Sequence, residues 1–305
     1  VILVGLTVAS ASFVRELERR LGDVSADNVD GIVAVAHNEG EGDVQNNKEL
    51  LLRTIAGFLV HPNTGAALIV ATGRERNVTL EELKEYMAKE QYPSAHVPHD
   101  YAVLSGSWRE DLKQAEDVVR GSLVPAAAKD RGGSDAFSGL TGNPLVGEVS
   151  KLLIEKGGLA LLAESPELVG AEPYVLSNCR NLEIARKFLM MPHGMTQTER
   201  YKRYASRHGQ DAAGNPSGGN LYRGLYNIVI KSLGASRKKP PDVVLDECIE
   251  YSERVGDRAG YFFMDSPGND LESIAGQVAS GCNVIFFVTG NGAITNFPFV
   301  PTLKV

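Results

Sequence analysis

Over roughly the first 125 residues, short and continuously apolar runs alternate with amphipathic stretches, and that rhythm restricts the chain to β–α units stacked around a mostly parallel sheet. Val1–Ala9, Gly31–Ala36 and Gly65–Ala71 read as strands. Their hydrophobicity runs on without alternation, as it does when helices cover both faces of a sheet. Between and after them, Ser12–Leu21, Asn47–Val60, Thr79–Lys89 and Glu110–Arg120 carry apolar residues at three- and four-residue spacing, the period of a half-buried helix. Thr79 followed three residues later by Glu82 is a capping box, in which two side chains satisfy two helix-end amides.

At 305 residues the chain has room for two domains of ordinary size. The fold class expected is α/β, with a Rossmann-like parallel-sheet domain over residues 1–125 and a second α/β domain over residues 126–305 that carries most of the ligand-site motifs. The boundary is set near Pro125, ahead of a glycine-rich loop and a new series of elements. In that series Pro144–Glu155, Asn181–Met191 and Leu271–Ala279 read as helices, and Gly158–Glu164, Tyr261–Asp265 and Asn283–Thr289 as strands.

Charge narrows the partners. With 31 basic and 38 acidic residues the net charge is −7, which disfavours nucleic acid as the main partner. The longest apolar runs fall far below the ~20 residues of a membrane span, so no membrane partner is expected either. Cys179, Cys248 and Cys282 lie far apart with no paired spacing, and read as reduced thiols of a cytoplasmic protein. Val1 already sits inside a strand-like run, so the natural protein is expected to begin further upstream.

Four segments have the composition of ligand sites. Arg131-Gly132-Gly133-Ser134-Asp135, running on to Ser138 and then Asn143-Pro144, combines close-approach glycines with a helix start suited to carboxylate or phosphate, and could equally be a linker. Glu164–Glu172 places three carboxylates after an apolar strand, where α/β sheets bind ligands; a solvated helix start has the same composition. Gly214–Asn220, with Lys231 downstream, offers amides and a cation or simply a turn. Met264–Gly268 is again a strand followed by a loop. Among the histidines His37 is the best placed, at the end of a strand and ahead of Asn38-Glu39-Gly40-Glu41.

Taken in order, His37–Gly42, Arg53-Thr54 with Gly57 and His61-Pro62-Asn63, Gly132–Gly139 with Asn143-Pro144, and Glu164–Glu172 resemble the altronate and galactarate dehydratase family of sugar-acid dehydratases. The likeness continues through Asn215–Asn220 with Lys231–Gly234, Met264–Gly268 and Phe297-Pro298 to Lys304-Val305. Relatives of that family include the large subunit of sulfolactate sulfo-lyase.

The resemblance implies a lyase that removes the proton beside a carboxylate and expels water, or in the sulfo-lyase sulfite. It implies catalytic roles for Glu164, Glu172, Asp135, His37 and Lys231. Substrate contacts are implied for Arg131, Gly132, Gly133, Ser134, Ser138, Arg74, Asn215 and Asn220, and a small carboxylate as the partner. Where the family pattern has three cysteines, this chain has Glu41, Arg74 and Arg131. Arginine does not ligate a metal, so an iron or iron–sulfur centre is not expected and the chain reads as a metal-independent variant. A divalent ion such as Mg²⁺ on carboxylates stays open. Two readings of the exchange follow: the arginines replace the lost positive charge and clamp the substrate carboxylate, or elimination has lapsed and the fold binds a small acid or a partner protein. The family's small SAF-like domain has no counterpart in the pattern, so a homo-oligomer or a separate small SAF-like subunit is the macromolecular partner the resemblance allows.

Overall fold

The computed structural model describes the chain apart from residues 23, 25–28, 30, 42–46, 62, 128–141, 191–226 and 290–294. The chain divides into two compact units, Val1–Gly133 with Phe297–Pro301 and Ser134–Asn296 with Thr302–Val305. Both are α/β, the class expected.

The first unit runs β1 (Ile2–Gly5), α1 (Val8–Leu21), β2 (Val33–Val35), α2 (Lys48–Leu59), β3 (Ala67–Ala71), α3 (Leu80–Lys89), β4 (His99–Val103) and α4 (Trp108–Val118). Its four strands are parallel in the order β2-β1-β3-β4, with Leu3 beside both Ala34 and Leu68. Leu3, Leu68 and Val70 face Phe13, Val14 and Leu17 of α1 and Leu112 and Ala115 of α4. Strand alternation turns the equally buried Ile2, Val4 and Ile69 to the other face. Truncating a fully buried residue such as Leu17 to alanine should cost about 2–5 kcal/mol.

Sequence and structure differ here in two places. The first strand stops at Gly5, not Ala9, because Thr7 takes extended backbone and its hydroxyl accepts the Ala9 N–H at 3.3 Å, so Val8 and Ala9 start α1. And β4 pairs along its whole length with β3 although Pro93, Pro98 and its polar residues hide it in the sequence. The Thr79–Glu82 capping box forms as read, with bonds of 3.3 and 3.0 Å.

The second unit runs α5 (Gly142–Glu155), β5 (Leu159–Leu162), α6 (Leu182–Met190), α7 (Ile228–Ala235), β6 (Leu245–Ile249), β7 (Gly260–Met264), α8 (Asp270–Ser280), β8 (Ile285–Phe287) and β9 (Thr302–Lys304). Parallel strands in the order β5-β7-β6 form its sheet, and β8 and β9 form a separate parallel pair. The central strand β7 is buried throughout and alternates between two cores. Tyr261 and Phe263 join Leu162, Leu245 and Phe188, while Phe262 and Met264 join Ala163, Ile249 and Val255. The stretch Phe297–Pro301 belongs by its contacts to the first unit. There Phe297 packs tilted and Phe299 edge-on against Phe58, with ring centroids 5.4 and 5.8 Å away, and Asn63 Nδ2 donates to the Phe299 carbonyl at 3.1 Å.

Candidate active site

In parallel α/β sheets ligands gather outside the carboxyl ends of the strands. At that edge of the second unit, β5 runs through Ala163 into Glu164 and β7 runs into Asp265 and Ser266. Side chains continue the pairing where the strands end. Ser165 N–H donates to the Ser266 carbonyl at 3.0 Å, Glu164 N–H to Ser266 Oγ at 2.8 Å, and Ser266 N–H to Ser165 Oγ at 3.1 Å. The Ser165 hydroxyl in turn donates to the buried Asp265 carboxylate. Glu164 itself is left-handed, with φ 73° and ψ 69°, a conformation that costs a non-glycine residue about 1–2 kcal/mol.

Around this turn lie two lysines. Lys238 Nζ stands 3.8 Å from Glu164 Oε2, and Lys231 Nζ is bonded to Glu167 Oε1 at 2.7 Å. Lys238 sits at the end of the 3₁₀ turn Ser236–Lys238 that follows α7, where the Tyr261 hydroxyl donates to its carbonyl at 2.8 Å. Among the described residues no hydrogen-bond donor reaches the Glu164 carboxylate, whose side chain is 21% exposed. Burial pushes this carboxyl up to about 7; Lys238 and Lys231 oppose the rise, and the charges of Glu167 and Asp270 add to it. A group of that kind exchanges protons near neutrality, as a general base or acid must.

Lys231 and Glu164 are thus brought together. Glu172 opens a one-turn helix, Glu172–Val175, and is not among the charges that weigh most on Glu164. Sequence reasoning misses Lys238 and gives Asp265 and Ser266, inside a candidate segment, no individual role. Met264–Gly268 was read as a strand and loop without roles, and Lys238 lies in Arg237-Lys238-Lys239, which looks like any solvated basic run.

In the first unit the same edge is built differently. The chain passes from β1 out to β2 and then back across to β3, so the strand order reverses between β1 and β3. Thr7, after β1, donates its hydroxyl to Glu41 Oε1 at 3.0 Å. Gly40 has φ 95°, and a Cβ there would come within 2.7 Å of Thr7 Cγ2, so glycine is required beside it. His37 uses both ring nitrogens: Nε2 lies 2.8 Å from the Gly5 carbonyl and Nδ1 accepts the Glu39 N–H at 3.2 Å. A carbonyl only accepts and an amide only donates, so the ring is neutral with its proton on Nε2. Burial favours that form and holds its pKa below the ordinary value. His37 therefore ties the end of β2 to the end of β1. After β3, Glu75 accepts from the Thr72 amide and hydroxyl, and Arg74 is exposed.

Asp135, Arg131, Gly132, Gly133, Ser134, Ser138, Asn215 and Asn220 lie outside the described residues. Among the described residues no three histidine, cysteine or carboxylate side chains group closely enough to hold a metal ion. Two of the positions where the resemblance expects thiols bear a carboxylate bonded to Thr7 and an exposed guanidinium, a donor set that does not fit an iron centre held by cysteines.

Comparison with known proteins decides the family. Residues 127–305 match the family described as D-galactarate/altronate dehydratase, C-terminal, and residues 1–126 match D-galactarate dehydratase/altronate hydrolase, second domain. The chain belongs to the galactarate/altronate dehydratase family. It is 32% identical over 309 aligned residues to altronate dehydratase of Bacillus subtilis (strain 168), a match covering 94% of this chain and 57% of that protein. Altronate dehydratase of Escherichia coli (strain K12) is 31% identical over 300 residues, 92% of this chain and 57% of its own length. The (2R)-sulfolactate sulfo-lyase subunit beta of Chromohalobacter salexigens is 26% identical over 305 residues, 96% of this chain and 76% of that subunit. The chain therefore spans little more than half the length of the altronate dehydratases it matches. Among the described residues, the β5–β7 edge sets a carboxyl raised toward neutrality, Glu164, beside Lys238, with Lys231 paired to Glu167 on the same turn.

Proposed function

We propose that this chain is the lyase core of a sugar-acid dehydratase, with Glu164 as the base that takes the proton beside the substrate carboxylate. The C–H electron pair moves into the forming C=C bond, the β-hydroxyl leaves as water with the proton that Glu164 has taken and gives back, and the enol product tautomerises to a 2-keto acid. The observation that carries this reading is the half-buried Glu164 carboxyl beside Lys238, free of hydrogen-bond donors among the described residues and raised to about 7. The proton beside a carboxylate is very weakly acidic, and the enolate left behind is dianionic, so fixed positive charge must meet it. Lys238 and Lys231 are assigned that part; Arg131 and Arg74 stand where the family pattern has thiols, and elimination runs without iron. The names of the altronate dehydratase relatives support water as the leaving group.

On this reading the first unit is a Rossmann-like support in which His37 holds two strand ends together. The substrate is a small hydroxy-carboxylate and the compartment is the cytoplasm, in keeping with three free thiols. Sulfite as leaving group is the second reading, favoured by the larger share, 76%, of the sulfo-lyase subunit that the chain matches. That relative is named as a subunit, so the partner consistent with either reading is a separate small chain.

The test is turnover. Purified protein is incubated with aldonic, aldaric and sulfonated hydroxy-acids, with and without Mg²⁺, and 2-keto acid and sulfite are measured. Keto-acid release from an aldonic or aldaric acid supports the dehydratase, and sulfite release supports the sulfo-lyase. Binding without turnover across the panel would leave a small-acid binding protein and overturn both.

A further inference from the structure

We propose that Ser266 is a positioning residue whose hydroxyl, by accepting the Glu164 N–H, holds the left-handed turn that keeps the Glu164 carboxyl beside Lys238. The catalytic meaning of this inference rests on the acid–base reading of Glu164; the positioning itself does not. Ser266 is fully buried, and its hydroxyl has one proton and two acceptor sites. Three of its neighbours can be satisfied in a single arrangement. The Glu164 N–H donates to it at 2.8 Å, the Ser273 hydroxyl donates to it at 3.2 Å, and its own proton goes to the Pro267 carbonyl at 3.1 Å. Gln277 Nε2 donates to Ser273 Oγ at 3.2 Å, which leaves the Ser273 proton to point at Ser266. Donors thus run one way, from α8 through two hydroxyls, and the second hydroxyl also takes the amide of the strained residue.

Among the described residues no other acceptor takes the Glu164 N–H, although Ser165 and Ser266 also exchange bonds across the turn. Glu164 has φ 73° without being glycine or asparagine, so the conformation persists only where its surroundings fix it. Without the Ser266 hydroxyl a part-buried N–H loses its acceptor, and the cheapest relief is for the turn to relax toward water. The carboxyl would then leave the setting made by Lys238 on the 3₁₀ turn, Glu167 after β5, Asp270 at the start of α8 and Lys231 on α7.

A four-variant cycle tests this without activity. The stability gained on Glu164→Gln is measured at pH 5 and pH 8 in the natural chain and in Ser266→Ala. Ser280→Ala, a buried serine at the end of α8 whose hydroxyl bonds the Gly276 carbonyl and Met264 Sδ and not the Glu164 turn, serves as the control. The pH-dependent part of the gain is expected to fall by at least half in Ser266→Ala and to persist in Ser280→Ala, and Ser266→Thr, which returns a hydroxyl, restores it. If Ser266→Thr does not fold, Ser273→Ala takes its place: it removes only the outer link, and a small reduction is expected. Ser266→Ala that lowers stability while leaving the Glu164 gain unchanged overturns the proposal. In the turnover assay Ser266→Ala should lower kcat about 10- to 100-fold with KM within threefold, and move the acid limb of the pH profile below 7. If the natural chain turns over none of the acids, the acid–base reading has failed while the cycle still decides the role of Ser266.

Discussion

The two units build the same kind of edge, the carboxyl ends of parallel strands, and one carboxylate of the second, Glu164, is held unlike those of the first. In the first unit Glu41 accepts from Thr7, Glu39 from Asn47 at 2.8 Å, Glu75 from Thr72, and Asp111 from Ser105 and Gly106 at 2.7–3.2 Å. Burial works against the charge on Asp111, yet those bonds hold its pKa below the ordinary carboxylate value. In the second unit Glu164 has a lysine at 3.8 Å and, among the described residues, no donor, and its pKa goes up to about 7. The difference teaches that burial carries a carboxyl toward neutral pH where hydrogen-bond donors do not offset it. Acidic residues at strand ends become informative only once their donors are counted.

The largest effect expected from this contrast is on turnover. Glu164→Gln should lower kcat/KM by about 10²–10⁴-fold, the range for loss of a general base. Asp111→Asn should leave kcat/KM of the folded protein within a few-fold and lower stability by about 1–3 kcal/mol, because Ser105 and Gly106 lose a charged acceptor. Equal losses of rate in the two variants would break the distinction between the edges.

Stability against pH gives the next largest effect. In the unfolded chain Glu164 ionises near 4.5, and in the fold near 7. Between those values the folded state binds the extra proton, so stability falls as pH rises. Below pH 4.5 the group contributes nothing, and above pH 7 its full cost is present. Glu164→Gln is neutral throughout, so its advantage should grow from near zero at pH 4 to at most about 3 kcal/mol at pH 8. Denaturant unfolding across that range measures it. A flat difference would mean that the carboxyl is not held where the structure has it.

Lys238→Met sharpens the same point. Lys238 is the chief influence opposing the burial of the Glu164 charge. Removing it should move the acid limb of the pH–rate profile above 7 and lower kcat/KM at pH 7 by about tenfold or more. A limb that moves down, or stays, would assign Glu164 another partner.

Much of this fold could be read from the sequence because it rests on local rules. The apolar runs at Gly31–Ala36 and Gly65–Ala71 contain β2 and β3, and the Thr79–Glu82 pair starts α3 where a capping box requires. Where the sequence misled, a longer-range condition had won. β4 and β6 are polar along much of their length and become strands only through β3 and β7, their buried partners. Glu164 and Lys231 stand out as chemistry-bearing residues. The reason they matter lies in Lys238 and Ser266, brought from 74 and 102 residues away in sequence by strand pairing and the α7 turn, and no spacing rule reaches that far. His37 shows the converse. Its place at a strand end looks catalytic, and its two backbone bonds give it a structural task.

The smallest effect expected concerns Tyr261, and it separates support from chemistry most finely. Its ring is buried in the core of the second unit, and its hydroxyl donates to the Lys238 carbonyl at 2.8 Å, with burial raising its pKa so that it remains a donor at every working pH. Tyr261→Phe keeps the ring and removes that one bond, which should cost about 1 kcal/mol of stability. The Lys238 backbone would lose an anchor while the charge stays on the chain, so kcat/KM should fall by only about two- to fivefold, far less than in Lys238→Met. Matching losses in the two variants would show that the position of Lys238 matters as much as its charge. No change in rate would show that the 3₁₀ turn Ser236–Lys238 is held well enough by its packing alone.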